Sequence, residues 1–134
     1  MQHRSIVDVA AGARLNAYAP YSQFKVGAAL LTKSGKIFVG CNVENISFGL
    51  TICAERAALA NAISQGSKDL EAMAIVADSP EPAMPCGACL QVLAEFNPDL
   101  VIIVSTTAGE VQEFRLSELL PRPTRGILKG PQSV

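Results

Sequence analysis

The sequence predicts an α/β fold, a three-layer α/β/α sandwich around a mixed five-stranded sheet that opens with a β-hairpin. The predicted elements run in the order helix, strand, strand, helix, strand, helix, strand, strand. The first two strands are joined by a short turn, which suits antiparallel neighbours, and alternating strands and helices follow. The chain has 134 residues, 49% of them hydrophobic, which is enough for one core. We therefore expect a single domain over residues 1–134.

The first half of the chain is expected to contain one helix, the hairpin and the start of a second helix. Apolar residues at three- and four-residue spacing predict a helix over residues 4–17, with Ser5 as its N-cap. Strands are predicted at Lys25–Thr32 and Lys36–Asn42, because the turn residues of 33–35 separate them.

The second half alternates helices and strands. Cys53–Ser64 is rich in alanine and is followed by Gly66, so a helix is predicted after a loop over residues 43–52. The elements predicted after it are, in order, a strand at Met73–Ala77, a proline-containing loop at Asp78–Pro85, a helix at Cys86–Phe96, strands at Leu100–Ser105 and Glu110–Phe114, and a short helix at Leu116–Leu120. The tail from Pro121 onward is rich in proline, glycine and basic residues and is predicted to be mobile.

Composition and charge exclude several functional classes. The 11 basic and 12 acidic residues give a net charge of −1, so the chain lacks the basic footprint of a nucleic-acid-binding module. No run of 18 uncharged apolar residues exists, which excludes a membrane-spanning helix. Asp8 and Arg14 interrupt the apolar N-terminal stretch, which makes it a poor signal peptide, and we expect a cytoplasmic protein.

The four cysteines are the most informative residues. Cys86 and Cys89 form a Cys-x-x-Cys pair, which in a cytoplasmic chain is typical of a metal or redox site rather than of a disulfide framework. Cys53 begins a predicted helix, whereas Cys41 has no motif around it and is interpreted as a buried thiol without a ligand role.

Two helix starts can bring three of these sulfurs together. Cys86 and Cys89 lie at i and i+3 of one helix start and so share a face, and Cys53 begins the other helix. The partial positive charge of a helix N-terminus favours the thiolate form that metals bind. Zn²⁺ accepts three sulfur ligands at about 2.3 Å and keeps its fourth position for water, the arrangement of a catalytic site.

Glu55 and Arg56 complete the candidate site. Glu55 follows Cys53 by two residues, is not needed as a ligand, and can move protons. Arg56 can donate hydrogen bonds to the sulfurs and so draw off part of the charge of three thiolates. The simpler interpretations are inert buried thiols, a carboxylate favoured by the helix dipole at Glu55, and a solvated charge at Arg56.

These fragments match the zinc deaminase signature, in which Cys-x-Glu is followed by Pro-Cys-x-x-Cys. Cys53-Ala-Glu55 and Pro85-Cys-Gly-Ala-Cys89, together with Phe24-Lys-Val-Gly-Ala-Ala29 and Asn42-Val-Glu-Asn45, resemble the small homotetrameric zinc-dependent cytidine deaminases. The resemblance extends from about Tyr21 to Pro121.

The resemblance implies hydrolytic deamination of cytidine and 2′-deoxycytidine in pyrimidine salvage, with one Zn²⁺ per subunit. Glu55 would carry a proton from the attacking water to ring N3, and hydroxide would attack C4. Asn42 and Glu44 would hold the ribose hydroxyls, Phe24 would pack on the pyrimidine, and the Ala54 backbone N–H would meet the base carbonyl. A homotetramer would complete each pocket with residues of neighbouring subunits. Ordinary structural roles for Asn42, Glu44 and Phe24 are the competing interpretation.

Three positions depart from the family pattern. Leu90 stands where arginine is expected, Phe48 where tyrosine is common, and Thr124 near the place of an aromatic residue. The departures motivate one alternative function, deamination of another aminated nucleoside or heterocycle. A catalytically inactive zinc-stabilised binding protein is a further alternative, against which the intact Glu55 argues.

Overall fold

The computed structural model describes residues 3–124. Its elements, in chain order, are α1 (Arg4–Arg14), β1 (Val26–Thr32), β2 (Ile37–Cys41), a 3₁₀ turn at Phe48–Leu50, α2 (Ala54–Ser64), β3 (Leu70–Ala77), α3 (Gly87–Ala94), β4 (Val101–Thr106), β5 (Val111–Arg115) and α4 (Leu116–Leu119).

The strands form one mixed sheet in the order β2-β1-β3-β4-β5. Strands β3 and β4 are parallel, and the other neighbouring pairs are antiparallel. Helix α1 covers one face through a cluster that includes Ile6, Val76 and Ile103. The main core, which includes residues of α2 and α3, lies on the opposite face. The predicted three-layer α/β/α sandwich is therefore confirmed.

The boundaries of α1 differ from the prediction. The N-cap is His3 without a side-chain capping bond, so Ser5 lies inside the helix rather than before it. The predicted helix over 4–17 ends at Arg14, because the N–H groups of residues 15–17 bond three residues back instead of four. Such a tighter last turn is common at helix ends, and the amino-acid composition of this segment does not predict it.

The other predicted elements are shifted by a few residues. Strand β3 begins at Leu70, three residues before the predicted start, and β5 occupies Val111–Arg115 rather than Glu110–Phe114. Helix α3 ends at Ala94, two residues early. Cys53 and Cys86 are N-cap residues, so both sulfurs project from the starts of helices, as the cysteine pattern requires.

Helix α2 is held close to the hairpin by a glycine. Strand β2 carries Gly40, where an added Cβ would come within 2.3 Å of the Ala58 nitrogen and 2.6 Å of the Ala54 oxygen. Backbone atoms cannot move aside as a flexible side chain can, so α2 lies on β2 only because this residue lacks a side chain.

We expect Gly40→Ala to destabilise the fold by about 1–3 kcal/mol, the usual cost of overpacking. Urea unfolding followed by circular dichroism measures the loss. Gly12→Ala is the control, because Gly12 is exposed in α1 with nothing within 4 Å of an added Cβ. Gly12→Ala should preserve or raise stability, since alanine favours helix. Equal stability of Gly40→Ala and the wild-type protein would contradict the close approach.

The chain beyond β5 runs back onto α3. The N–H of Thr124 donates to Gln91 Oε1 at 2.8 Å, and Gln91 Nε2 donates to the Thr124 carbonyl at 3.0 Å. These bonds fix the end of the described chain, and the rest of the tail predicted to be mobile, residues 125–134, lies outside the described residues. Over residues 3–124, no helix combines the length and the apolar character that crossing a membrane requires.

Candidate active site

Three cysteine sulfurs meet where the N-termini of α2 and α3 approach each other. The Sγ atoms of Cys53, Cys86 and Cys89 all lie within 4.8 Å of one another, and those of Cys86 and Cys89 are 3.4 Å apart. Among the residues that the structure describes, no His, Asp or Glu joins this group. Cys41, the fourth cysteine, lies at the end of β2 outside the group, but it is half-buried rather than buried as predicted.

The chemistry of this sulfur set fits a zinc ion. Burial, together with the charge of Glu55, raises the pKa of the Cys89 thiol. Burial opposes ionisation of Cys86 as well, but hydrogen bonds from the Cys89 backbone and thiol outweigh it and lower the pKa of Cys86. Three thiolates this close repel one another, so a cation is needed for all of them to ionise together. Three sulfurs around one point are a set of ligands that Zn²⁺ accepts.

Glu55 lies in the first turn of α2, beside the cluster, and is only 6% exposed. Burial dominates and raises the pKa of its carboxyl, although its own backbone N–H, the charge of Arg56 and a hydrogen bond with Cys89 act in the opposite direction. A carboxyl with a raised pKa next to a metal cluster is a candidate proton carrier.

Arg56 reaches back over the start of α2. Its Nη2 donates to Cys53 Sγ and to the Thr51 carbonyl, both at 3.5 Å. The hydrogen bond with Cys53 is the largest influence on this guanidinium, and it raises the Arg56 pKa. The Arg56 guanidinium therefore lies against the Cys53 sulfur.

A cleft of about 270 Å³ opens in front of the cluster. Its lining includes Cys53, Glu55 and Cys86 as well as Glu44 and Ser22. The remaining lining residues are Phe24, Val26, Asn42, Thr51, Ala54, Ile75, Ala83 and Met84. The cleft thus brings together the sequence-predicted Phe24, Asn42, Glu44 and Ala54 with the metal cluster and Glu55.

Glu44 lines the cleft and already accepts several hydrogen bonds. Its Oε1 accepts from the backbone N–H groups of Tyr21 and Ser22 at 3.0 and 3.1 Å, and its Oε2 accepts from the Ser22 hydroxyl. The Ser22 hydroxyl is the main cause that lowers the Glu44 pKa. The carboxylate is therefore ionised at neutral pH, and it keeps acceptor capacity on Oε2.

Asn42 connects the cleft to the start of β1. Its Oδ1 accepts from the Val26 N–H and its Nδ2 donates to the Phe24 carbonyl, both at 2.8 Å. One amide N–H and one lone pair remain after these bonds. Asn42 thus has a structural role that the sequence pattern did not distinguish from a binding role.

The three departures from the family pattern lie outside this cleft. Leu90 is buried in the main core. Phe48 is 72% exposed and makes an edge contact with Tyr21, with ring centroids 5.9 Å apart. Thr124 is held on α3 by Gln91. None of the three lines the cleft of its own subunit.

Six cleft residues were not predicted as site residues, namely Ser22, Val26, Thr51, Ile75, Ala83 and Met84. Ser22 orients Glu44 and also accepts from the Phe24 N–H at 3.0 Å, in a turn where Gln23 adopts a φ of 62°. Met84 lies in the loop before α3. The only sequence feature that could have indicated Met84 was its place beside Pro85-Cys86, and no local sequence feature indicated Ser22.

A larger cavity of about 480 Å³, between α1 and β4–β5, lies on the opposite face of the sheet, far from the cysteines.

This α/β/α sandwich, with three sulfurs and a buried carboxyl at the mouth of a cleft, defines a metal-dependent hydrolytic enzyme. Residues 1–105 match the family model for the cytidine and deoxycytidylate deaminase zinc-binding region. The cytidine deaminase of Halalkalibacterium halodurans is 50% identical over 122 residues, which are 90% of this chain and 92% of that protein. The chain belongs to the cytidine and deoxycytidylate deaminase family, and zinc is its metal.

Solved structures agree with this assignment. The crystal structure of cytidine deaminase from Burkholderia pseudomallei superposes with a TM-score of 0.89 at 46% identity, covering 92% of this chain and all of that one. Similarity to the blasticidin-S deaminase of Bacillus cereus is lower, at 30% identity over 72% of this chain and 74% of that protein. The comparison therefore favours cytidine over the alternative of another aminated nucleoside.

Proposed function

We propose that this protein is a zinc-dependent cytidine deaminase, which converts cytidine and 2′-deoxycytidine to uridine and 2′-deoxyuridine and releases ammonia. The observation that carries the proposal is a single cleft whose lining includes Glu44, Glu55 and two of the three clustered cysteines. A nucleoside needs such a cleft, because its reacting ring and its hydroxylated sugar lie at opposite ends. This reaction would serve pyrimidine salvage.

Cys53, Cys86 and Cys89 would hold the zinc ion, since their sulfurs converge on one point. When bound there, zinc would act as a Lewis acid that lowers the pKa of a water molecule, so that this water can lose a proton and attack ring carbon C4. Arg56, which lies against Cys53 Sγ, would offset the negative charge of the ligands and keep the ion electrophilic.

Glu55 would move the proton. Its carboxylate would take one proton from the attacking water and deliver it to ring N3. It would then take the second proton from the hydroxyl now bound to C4 and deliver it to the amino group, so that the C4–N bond breaks, ammonia leaves and the C4 carbonyl forms. Burial suits this role, because a carboxyl with a raised pKa both accepts and returns a proton readily.

The two ends of the substrate would be bound by different groups. The Ala54 N–H, a free donor at the start of α2, would meet the base carbonyl, and Phe24 would pack against the pyrimidine face. The remaining acceptor capacity of Glu44 Oε2 and the remaining N–H of Asn42 would bind the ribose hydroxyls.

We expect Glu44→Gln to raise KM for cytidine about 10- to 100-fold, with a smaller effect on kcat. This factor corresponds to the free energy that a hydrogen bond to a charged group contributes to binding. Glutamine keeps one oxygen for the Tyr21 and Ser22 N–H groups but replaces the oxygen that accepts hydroxyls. Steady-state kinetics measures the change, and Glu110→Gln, an exposed carboxylate outside the cleft, is the control. A KM equal to that of the wild-type protein would leave Glu44 with only its loop-holding role.

The same proposal includes a homotetramer of one-domain chains in the cytoplasm. Large apolar side chains of the loop beside the cleft are exposed, with Ile46 at 79% and Leu50 at 68%, which suits burial against neighbouring subunits. Reduced thiols, which zinc binding requires, suit the cytoplasm. Light scattering at micromolar concentration tests the assembly, and a monomer mass would refute it.

Turnover of cytidine by purified, zinc-loaded protein tests the function itself. Uridine and ammonia should appear in equal amounts, which chromatography and an ammonia assay measure independently. Absence of turnover with zinc bound would instead support the inactive zinc-stabilised binding protein.

A further inference from the structure

The loop between β3 and α3 supplies one wall of the cleft through Ala83 and Met84. The wall lies between Pro82 and Pro85, whose rings restrict the backbone on both sides. Met84 is 45% exposed although its side chain is apolar. An apolar side chain that is exposed and lines a cleft is available to contact whatever fills that cleft.

The position of Met84 relative to the reacting carbon follows from the chain itself. Met84 precedes Cys86 by two residues, so their Cα atoms lie within about 7 Å. Ring carbon C4 must lie beside the cysteine cluster to react. Met84 therefore lies close to the position of the reacting carbon, and its side chain lines the cleft.

The other sides of the ring already have partners in the proposed function. Glu55 serves N3, the Ala54 N–H serves the base carbonyl, and the sugar on N1 points toward Glu44. The edge that remains carries C5 and C6, next to the amino group on C4. In the proposed arrangement Ala83 and Met84 would lie along this edge, because they are the cleft residues of the loop that leads into Cys86.

We infer that Met84 is a specificity-determining residue, which limits the size of the substituent that the enzyme accepts on pyrimidine carbon C5. The inference rests on the proposed function. Methionine is long and flexible enough to contact the unsubstituted ring edge, and that contact leaves no room for an additional methyl group. A shorter side chain opens that space.

The test compares cytidine with 5-methylcytidine for the wild-type protein, Met84→Ala, Met84→Val and Met84→Leu. One methyl group in an apolar pocket changes discrimination about 10- to 200-fold. We expect Met84→Ala to raise the kcat/KM ratio of 5-methylcytidine to cytidine at least about 10-fold and Met84→Val to give a smaller rise. Met84→Leu, which conserves volume, should leave the ratio within about 3-fold of wild type.

A binding measurement separates this inference from the proposed function. Calorimetric affinities for uridine and 5-methyluridine need no turnover, and Met84→Ala should shift their ratio in the same direction as the kinetic ratio. Val92→Ala, an exposed apolar residue of α3 outside the cleft, is the control. If Met84→Ala and Met84→Val both keep the wild-type ratios of 5-methylated to unmethylated nucleoside, the inference is wrong. Failure of the wild-type protein to deaminate cytidine would instead overturn the proposed function.

Discussion

Replacement of Glu55 by glutamine is expected to lower kcat for cytidine at least about 100-fold while the zinc content stays at one ion per chain. Removal of a positioned acid–base group costs about 10²- to 10⁴-fold in rate. Glutamine has nearly the same shape as glutamate, but its amide cannot take a proton from water and return it. Zinc remains because the three sulfurs that converge do not include Glu55.

Elemental analysis and steady-state kinetics on the same preparation measure both quantities. Glu55→Ala should give a similar loss of rate, since either change removes the proton carrier. Glu95→Gln alters an exposed carboxylate on the far end of α3 and should leave kcat and zinc content unchanged. Wild-type kcat in Glu55→Gln would eliminate the proposed proton shuttle, and loss of zinc together with rate would indicate a structural role for Glu55.

The metal cluster could be predicted because its geometry is local to two helix starts. A cysteine at an N-cap and another three residues later share one face, so Cys86 and Cys89 converge through helix geometry alone. Cys53 joins them because the second helix also begins with a cysteine. The strands and the opening hairpin followed from apolar runs between turn residues, whereas the order β2-β1-β3-β4-β5 came only from the structure.

The rest of the site depends on loops whose conformation no local pattern specifies. Ser22 reaches Glu44 from 22 residues away, in a turn where Gln23 has a positive φ, an uncommon state for a residue other than glycine. The hydrogen bonds of Asn42 with Phe24 and Val26 likewise join two segments brought together by the β1–β2 pairing. Such contacts are consequences of tertiary structure, so the sequence indicated Glu44 and Asn42 only through the family resemblance.

Replacement of Cys89 by alanine is expected to abolish both zinc binding and deamination. Cys89 is fully buried, and alanine removes one of three ligands without offering a substitute. Even the loss of an outer-shell partner costs about 10- to 100-fold in metal affinity, so loss of a ligand should exceed 100-fold. Purified Cys89→Ala should contain less than about 0.1 zinc ion per chain, and cytidine turnover should fall at least tenfold with it.

Thermal unfolding with and without added zinc separates loss of the metal from loss of the fold. A ligand that binds only the native state stabilises it by about 2.7 kcal/mol at 100 times its Kd, so Tm of the metal-free wild-type protein should rise on zinc addition. Cys89→Ala should unfold cooperatively and show no such rise. Cys41→Ala, which alters the cysteine outside the cluster, should keep the rise and the zinc content. A zinc-dependent Tm in Cys89→Ala would show that two sulfurs suffice, and the three-thiolate site would then be wrong.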